Sequence, residues 1–433
     1  MTRPRLQGTT LARRHARQRG AVAIIMGLMI VVLVGFIGLA LDLGKLYVAK
    51  SELQNSADSC ALAAARDLTG ATPLMVSEAA GITAGSRNQA LFQKEQVQLV
   101  ASDSVTYTDS LDNPFLDKDS ATYPLDTIKY VRCDVSRTGI AHWFAQVLNA
   151  LPGVNIGPST VAAFAVATTT SAQTACAIPV FVCRPDTATP PVPGGYTIGQ
   201  WLTTKAGTED KDSVAYGGGN FGWADLTGGT SAKEMANQLK GAGQCNLPAL
   251  GAQIGTTGEK ASLSDEWNSR FGIIKSGKTL GVTDFTGFTY TDATWIAKSN
   301  AYDGSSTDSL GNAQPNFLAA RKAYNAYQGD ATTKLDTQGS AAAKSVYEAG
   351  ADRRLVLAPI VDCTTLATPG AHKIPVTGWA CLLMVEPMQK GGNNSTVRLE
   401  YRGDSSMAGS PCATQGMPGA GTGVGPLVPV LVQ

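Results

Sequence analysis

The chain has 433 residues, of which 43% are hydrophobic and only 16% charged, with 47 glycines and a net charge of +1. That length allows two or three domains, and the near-neutral balance excludes a global field that would steer the protein to nucleic acid. A charged share well below the usual quarter, with abundant Gly, Ala, Ser and Thr, fits an exported, loop-rich, β-containing protein better than a cytosolic enzyme.

The positive charge gathers at the N-terminus, where residues 1–20 carry Arg3, Arg5, Arg13, Arg14, Arg17 and Arg19 and no acid. The next 21 residues, 21–41, are uncharged. As a helix they extend about 31 Å, the hydrocarbon thickness of a bilayer. A signal-peptide core is shorter, about 7–15 residues. Lipid offers no partner for backbone polar groups, so the run is expected to be helical. With arginines before it and mixed charges after it (Asp42, Lys45, Lys50, Glu52), the positive-inside rule places 1–20 in the cytoplasm and everything past Asp42 outside. A rival reading takes Gly38 and Ala40 as the small residues a signal peptidase reads, which would make the protein secreted. Gly27, Gly35 and Gly38, with Ala23 and Ala40, give the helix small-residue faces that permit close helix–helix approach, including in a homo-oligomer. Asp42, at the membrane edge, is expected to be a solvated carboxylate, or to pair with Lys45 one turn on or with a cation on a partner.

Past the membrane, Leu46, Leu53, Ala57, Cys60, Ala61, Ala64 and Leu68 keep helical spacing, and neither Gly nor Pro interrupts 45–69. One helix is therefore expected from about 21 to 68, half in lipid and half outside, its outer half carrying an Ala-rich face suited to packing on a sheet. A second helix is expected at 74–92. Val97, Leu99, Val105 and Tyr107 alternate as a strand, and 127–135 reads as another. Ile140, Trp143, Phe144, Val147, Leu148 and Leu151 form an amphipathic helix ended by Pro152-Gly153, and 154–168 reads as a further strand. Together these predict an α+β fold: a transmembrane helix, a pilin-like α+β unit over 42–170, and a mixed, strand-containing C-terminal region. Residues 184–222 are rich in Pro, Gly and Thr, and 171–222 reads as a loop-rich linker. Over 223–405 helices are expected at 231–240, from Phe317 to a stop at Gly329, and at 339–349. Strands are expected at 354–362, 376–386 and 397–401. The Gly/Pro-rich end, 406–433, is expected to be irregular.

The segment Arg19-Gly20-Ala21-Val22-Ala23, the apolar span, Leu41-Asp42-Leu43-Gly44-Lys45-Leu46-Tyr47, Lys50-Ser51-Glu52-Leu53-Gln54-Asn55-Ser56-Ala57-Asp58 and Ala61-Leu62-Ala63-Ala64-Ala65 resembles the TadE/TadG-like proteins of Flp (tight-adherence) pilus assembly. The resemblance is strongest over 18–68 and continues more weakly to about 170 and around 219–223, 266–272 and 354–363. It implies an inner-membrane anchor, an exported C-terminal region, and lipid together with pilin subunits or other assembly proteins as partners. Gly20 follows a basic segment as at a prepilin-peptidase site, but Ile25 stands where pilins carry a glutamate. This favours the TadG-like member, which stays in the membrane, over a fibre subunit. The membrane-boundary residues are Arg19, Gly20, Asp42 and Lys45.

All eight cysteines (60, 133, 176, 183, 245, 363, 381 and 412) follow the span, and an even count in an oxidising compartment favours disulfides. Cys176 with Cys183, around a short apolar run, and Cys363 with Cys381, at the ends of neighbouring strands, are the expected pairs. Cys60 reads as a small packing residue on the Ala-rich face. No Cys-x-x-Cys appears and the three histidines (His15, His142, His372) are dispersed, so neither metal nor cofactor is expected. Gly217-x-Gly219-x-x-Gly222 fits a dinucleotide fingerprint by letter but lacks the strand–helix context and reads as a loop. Asp134-x-Ser136-x-Thr138 approaches the metal site of von Willebrand A domains, which needs a buried parallel strand before a long helix. The plainer reading is a strand end before a helix N-cap. Arg402-Gly403-Asp404 spells an integrin-binding tripeptide and reads as a turn. No nucleophile elbow, phosphate loop or paired-histidine helix occurs, so no catalytic residue is assigned.

Overall fold

The computed structural model describes residues 18–432 except 151, 189–191, 193, 206–221, 229–230, 242, 258–262, 278–280, 368–372, 390–396 and 420–422. The chain forms two compact units, one reaching to Thr169 and including the chain end from Pro429, the other Thr170–Val428. The class is α+β, with a long apolar helix first and mixed helices and strands after it.

Unit 1 is organised by α1 (Gln18–Arg66), 49 residues without a break. Across 22–41 every residue is exposed except Gly38, whereas the outer half buries Ala49, Leu53, Ala57, Cys60, Ala61 and Ala64. Spacings of three and four put these on one face. The helix ends beyond Arg66, a cation suited to its C-terminus, and Gly70 turns the chain at φ +76°. α2 (Leu74–Gly85) lies against α1 so closely that a Cβ on Gly81 would sit 3.1 Å from the Ala64 Cβ. A short hairpin follows, β1 (Gln89–Ala90) with β2 (Glu95–Gln96). Then β3 (Val105–Thr108), β4 (Tyr130–Ile140) and β5 (Ser159–Thr174) form an antiparallel sheet. Val131, Cys133 and Val135 of β4 and Ala163, Ala165 and Ala167 of β5 meet the α1 face in one core. Small residues on both sides let helix and sheet approach closely, and Cys60 is bonded to Cys133 across this core.

Unit 2 is built on a sheet ordered β6-β14-β15-β16-β7, with β9 on the other end of β15 and β8 on β9. The strands are β6 (Val182–Cys183), β7 (Trp201–Lys205), β8 (Trp223–Asp225), β9 (Gln253–Thr257), β14 (Leu355–Val361), β15 (Lys373–Met384) and β16 (Val397–Asp404). Only β6 runs parallel to its neighbour β14. β14 is almost uniformly apolar because it is buried on both faces. Val356, Ala358, Leu382 and Met384 face a core with Trp267, Phe271 and α3 (Ala232–Lys240). Leu357, Val361, Trp379 and Cys381 face a second core with Phe181. Between β9 and β14 lie α4 (Ser264–Ser269), α5 (Phe317–Lys322), α6 (Asp330–Thr333), α7 (Lys344–Glu348) and two short pairs, β10 (Ile273–Ile274) with β13 (Ser340–Ala341) and β11 (Ser306–Thr307) with β12 (Ala313–Gln314). β17 (Ala413–Pro418) pairs with Thr174 and Ala172, and β18 (Leu427–Leu431) brings the chain end back beside β5.

Several expectations need correction. Within the expected linker 171–222, β6 and β7 are strands of the main sheet. Both are short and find their partners more than 175 residues away, so local composition shows only the turns around them. The expected amphipathic helix from Ile140 to Leu151 is instead, up to residue 150, the end of β4, a loop, and a six-residue 3-10 turn over Ala145–Ala150 with no buried side chain; Leu151 lies outside the described residues. Beyond Ile140, which is buried, the apolar residues up to 150 have no core to face. The end, 406–433, contributes β17 and β18 instead of being irregular.

The cysteines pair as Cys60–Cys133, Cys176–Cys245, Cys183–Cys363 and Cys381–Cys412. Neither expected pair, Cys176–Cys183 or Cys363–Cys381, forms, and Cys60 is a bridge and not only a packing residue. Cys183 ends β6 and Cys363 lies just past β14; the two strands are adjacent and parallel, which carries both cysteines to the same end of the sheet. That neighbourhood leaves no local signal, because β6 is two residues long and borders a Pro-, Gly- and Thr-rich stretch.

Candidate functional site: the collar around the long helix

Where α1 changes from exposed to packed, its polar side chains hold two loops. Asp42 is only 2% exposed. Its Oδ1 accepts the N–H of Trp143 at 2.6 Å, and its Oδ2 accepts those of Phe144 at 3.0 Å and Ala145 at 2.6 Å. The carboxylate thus satisfies the free N–H groups that open the 3-10 turn, as an N-cap does, but from 101 to 103 residues away in sequence. Burial disfavours its charge; the N–H groups of Ala145, Trp143 and Phe144, with His142 nearby, outweigh this and hold the carboxyl below its usual range. One turn on, Lys45 Nζ donates to the Ala141 carbonyl at 2.6 Å and lies 4.7 Å from the Trp143 ring centre. Asp42 therefore neither pairs with Lys45 nor lies free in solvent, as the sequence led us to expect.

Toward the apolar half of α1 from Asp42, Phe144 covers Gly38. A Cβ there would lie 2.7 Å from the Phe144 Cβ, which no side chain could share. Part of the small-residue face expected to receive another helix is thus filled by this chain itself, while Gly27 and Gly35 have nothing within 4 Å of such a Cβ.

Further along, Glu52 repeats the device. It accepts from Phe92 N at 3.1 Å and Gln93 N at 3.2 Å. Leu91, Phe92 and Gln93 hold φ of 55°, 63° and 60°. Left-handed backbone costs non-glycine residues about 1–2 kcal/mol each, and the Glu52 hydrogen bonds help offset it. Phe92 stacks on Trp143 at 6.2 Å, joining the two loops. Lys50 Nζ donates to Ala162 O and Gln54 Nε2 to Phe164 O, so the same helix also holds the backbone of β5.

We expect Asp42→Ala to cost about 1–2 kcal/mol locally, the value of a lost N-cap. Hydrogen exchange at Trp143–Ala145 should accelerate about tenfold, with β4 unchanged. Because the folded carboxyl titrates below its unfolded value, its contribution is complete above the ordinary carboxylate range near pH 4. It should be lost only as pH falls through the depressed value. Exchange that accelerates at these amides while pH falls only from 8 to 6 would contradict the assignment.

In unit 2 a cavity of about 1070 Å³ is lined by Arg184, Tyr196, Trp379, Tyr401 and Asp404, among others. Most of its polar groups are engaged: Tyr196 donates to Cys183 O, Tyr401 to Asp404, and Arg184 pairs with Asp186, while the buried Trp379 Nε1 has no hydrogen-bond partner among the described residues. The deeply buried ions of this unit are cross-links as well. Arg354 donates to the carbonyls of Met384, Thr286 and Phe288, and Glu386 pairs with Arg398. Glu400 accepts from Trp201 Nε1 and from the backbone N–H of Ala301 and Tyr302.

The remaining sequence candidates scatter. Arg19 and Gly20 fall in the first turn of α1, and their surroundings lie outside the described residues, as do His15, His372, Gly217 and Gly219. Asp134, Ser136 and Thr138 lie within antiparallel β4, with Asp134 bound to Arg132. This is neither a strand end nor the parallel-strand context of a von Willebrand A site. Arg402 is 8% exposed and turned inward onto Asn300 and Glu400, so the Arg-Gly-Asp tripeptide is not displayed. Among the described residues no cluster of three or more His, Cys, Asp or Glu could hold a metal. The loop contacts of Asp42 and Glu52 carry no sequence signal beyond an acid on α1, since their partners are more than 35 residues distant.

Residues 20–67 match the family model for Flp pilus-assembly TadE/G-like proteins. The match coincides with α1 and includes both collar carboxylates. Neither the curated proteins nor the solved structures contain a significant match to the chain.

Proposed function

We propose that this chain is a non-catalytic, membrane-anchored structural protein of Flp (tight-adherence) pilus assembly, held in the bacterial inner membrane by the first half of α1. The observation that carries this reading is that the TadE/G-like match falls on a helix whose first half is apolar and exposed and whose second half is packed. The basic N-terminus then lies in the cytoplasm and both units in the periplasm. Four disulfides, all beyond the span, support an oxidising compartment for the units. Pilin subunits or other assembly proteins are the partners, met by the exported units.

The anchor is mechanical. Extracting the span would expose some twenty side chains to water, at about 1–3 kcal/mol for each large one. The contact of Phe144 on Gly38 and the Asp42 hydrogen bonds favour retention over cleavage near Ala40, because a cut there would remove part of what the loop packs on. The intact protein is expected to stay with membranes through alkaline and high-salt washing, to keep its basic N-terminus on sequencing, and to show a C-terminal reporter active only outside the cytoplasm. Release of intact protein by alkali, a mature start near Leu41, or a cytosolic reporter would each overturn this reading; the second would favour a secreted adhesin.

A further inference from the structure

Within six residues of the collar loop, Trp143 is 56%, Phe144 41%, Val147 70% and Leu148 49% exposed. Four large apolar side chains presented together are unusual on a surface meant for water. Their position on α1 indicates what covers them. Phe144 rests on Gly38, four residues toward the span from Asp42, hence about 6 Å inside the boundary that Asp42 marks. Interfacial elements bury their apolar faces about 5–10 Å into the region between headgroups and acyl chains. The loop's polar backbone is prepared for such a place. Asp42 takes the N–H groups of Trp143, Phe144 and Ala145. Asn149 closes the far side by accepting from Ile156 N at 2.6 Å and donating to Ile156 O at 3.1 Å. Trp143 has the amphipathic ring favoured at the membrane–water boundary, with the Lys45 ammonium 4.7 Å from it, where a cation can also meet anionic headgroups.

We infer that the segment 143–148 is a second membrane contact: an interfacial element that sinks its apolar side chains into the outer face of the same bilayer beside α1. It rests on the anchor reading above and adds to it. A lone helix is free to spin and tilt, whereas a helix with a wedge fixed to its side by Asp42 and Gly38 is held in rotation and depth. The occupant is lipid, continuous with the lipid around the span.

Every cysteine is disulfide-bonded, so a single introduced thiol can be labelled in the full chain with its bridges intact. Val147→Cys, Val31→Cys in the span, and Val100→Cys on an exposed loop would each carry an environment-sensitive fluorophore in nanodiscs of phosphatidylethanolamine and phosphatidylglycerol. The labels at 31 and 147 should emit to the blue of the label at 100. Both should lose most of their intensity to nitroxide-bearing lipids, with the shallow nitroxide the more effective at 147. If 31 is quenched while 147 behaves like 100, the interfacial contact is wrong and the anchor stands. If 147 is shielded from lipid quenchers but self-quenches between labelled copies, the face belongs to a second copy of this chain, and the proposal also falls. If 31 itself is not quenched, the anchor reading fails and this one with it.

Discussion

Replacing Cys60 and Cys133 together by alanine is expected to lower the stability of unit 1 by about 4 kcal/mol. The bridge closes a loop of 73 residues, and constraint of the unfolded chain is worth about 3 kcal/mol for a 15-residue loop and about 4.7 for a 100-residue one. The site is also a packing site: both residues are fully buried, and Cys60 lies against α2 at Gly81 and Gly85. The loss should fall on unit 1 because the bridge is the covalent tie between the outer half of α1 and the sheet it packs on. Denaturant unfolding of the full chain in nanodiscs, followed by a label on β4, would measure it. A shift below about 1 kcal/mol would mean that the small-residue packing alone holds helix and sheet together. The same substitution should leave the proposed retention in the membrane unchanged, since the apolar, exposed half of α1 is untouched.

Arg354→Met should cost unit 2 about 3–5 kcal/mol, the usual penalty for removing one member of a buried charged network. The side chain is completely buried, with its guanidinium 4.2 Å from the Phe271 ring centre and hydrogen-bonded to the carbonyls of Met384, Phe288 and Thr286. Burial lowers its pKa to about 10, with Asp284 opposing, so it remains a cation at neutral pH. Methionine fills much of the volume but removes the guanidinium donor from three carbonyls and one of the cations near Asp284, which keeps Arg321 at 3.8 Å. The backbone N–H groups of Arg353 and Arg354 still reach Asp284, so the unit should fold with a lower thermal midpoint and not collapse. A midpoint equal to that of the parent chain would show that water replaces the guanidinium at no cost.

What the sequence disclosed follows the range of the interactions involved. α1 was legible because hydrophobicity, glycine and proline placement and 3.6-residue spacing are all local. β14 and the end of β15 were legible because buried strands read as apolar runs whatever they pair with, and β16 because Val397, Leu399 and Tyr401 alternate with charged residues. The pairing of Cys183 with Cys363 was not, because it depends on a two-residue strand finding β14 across 180 positions. The stretch from Ile140 to Leu151 misled for a related reason. Its apolar spacing has the period of a helix facing a core, yet Ile140 is buried at the end of β4 and Ala145–Ala150 form a short 3-10 turn with no buried side chain. Asp42 was singled out for its place at the membrane edge, but its partners, three amides of a distant loop, could not be inferred from any neighbouring residue.

Continuity of α1 has a mechanical corollary. From Val22 to Arg66 the rod is 45 residues, about 68 Å, with no proline or break at which it could bend. In the anchor proposed above, tension applied to unit 1 would enter the rod at the Cys60–Cys133 staple and travel along its axis into lipid. A chain joined to its anchor by a supple tether would dissipate such a tug as slack; this one should respond by leaning as a whole, so that the direction of pull on the unit becomes the tilt of the span.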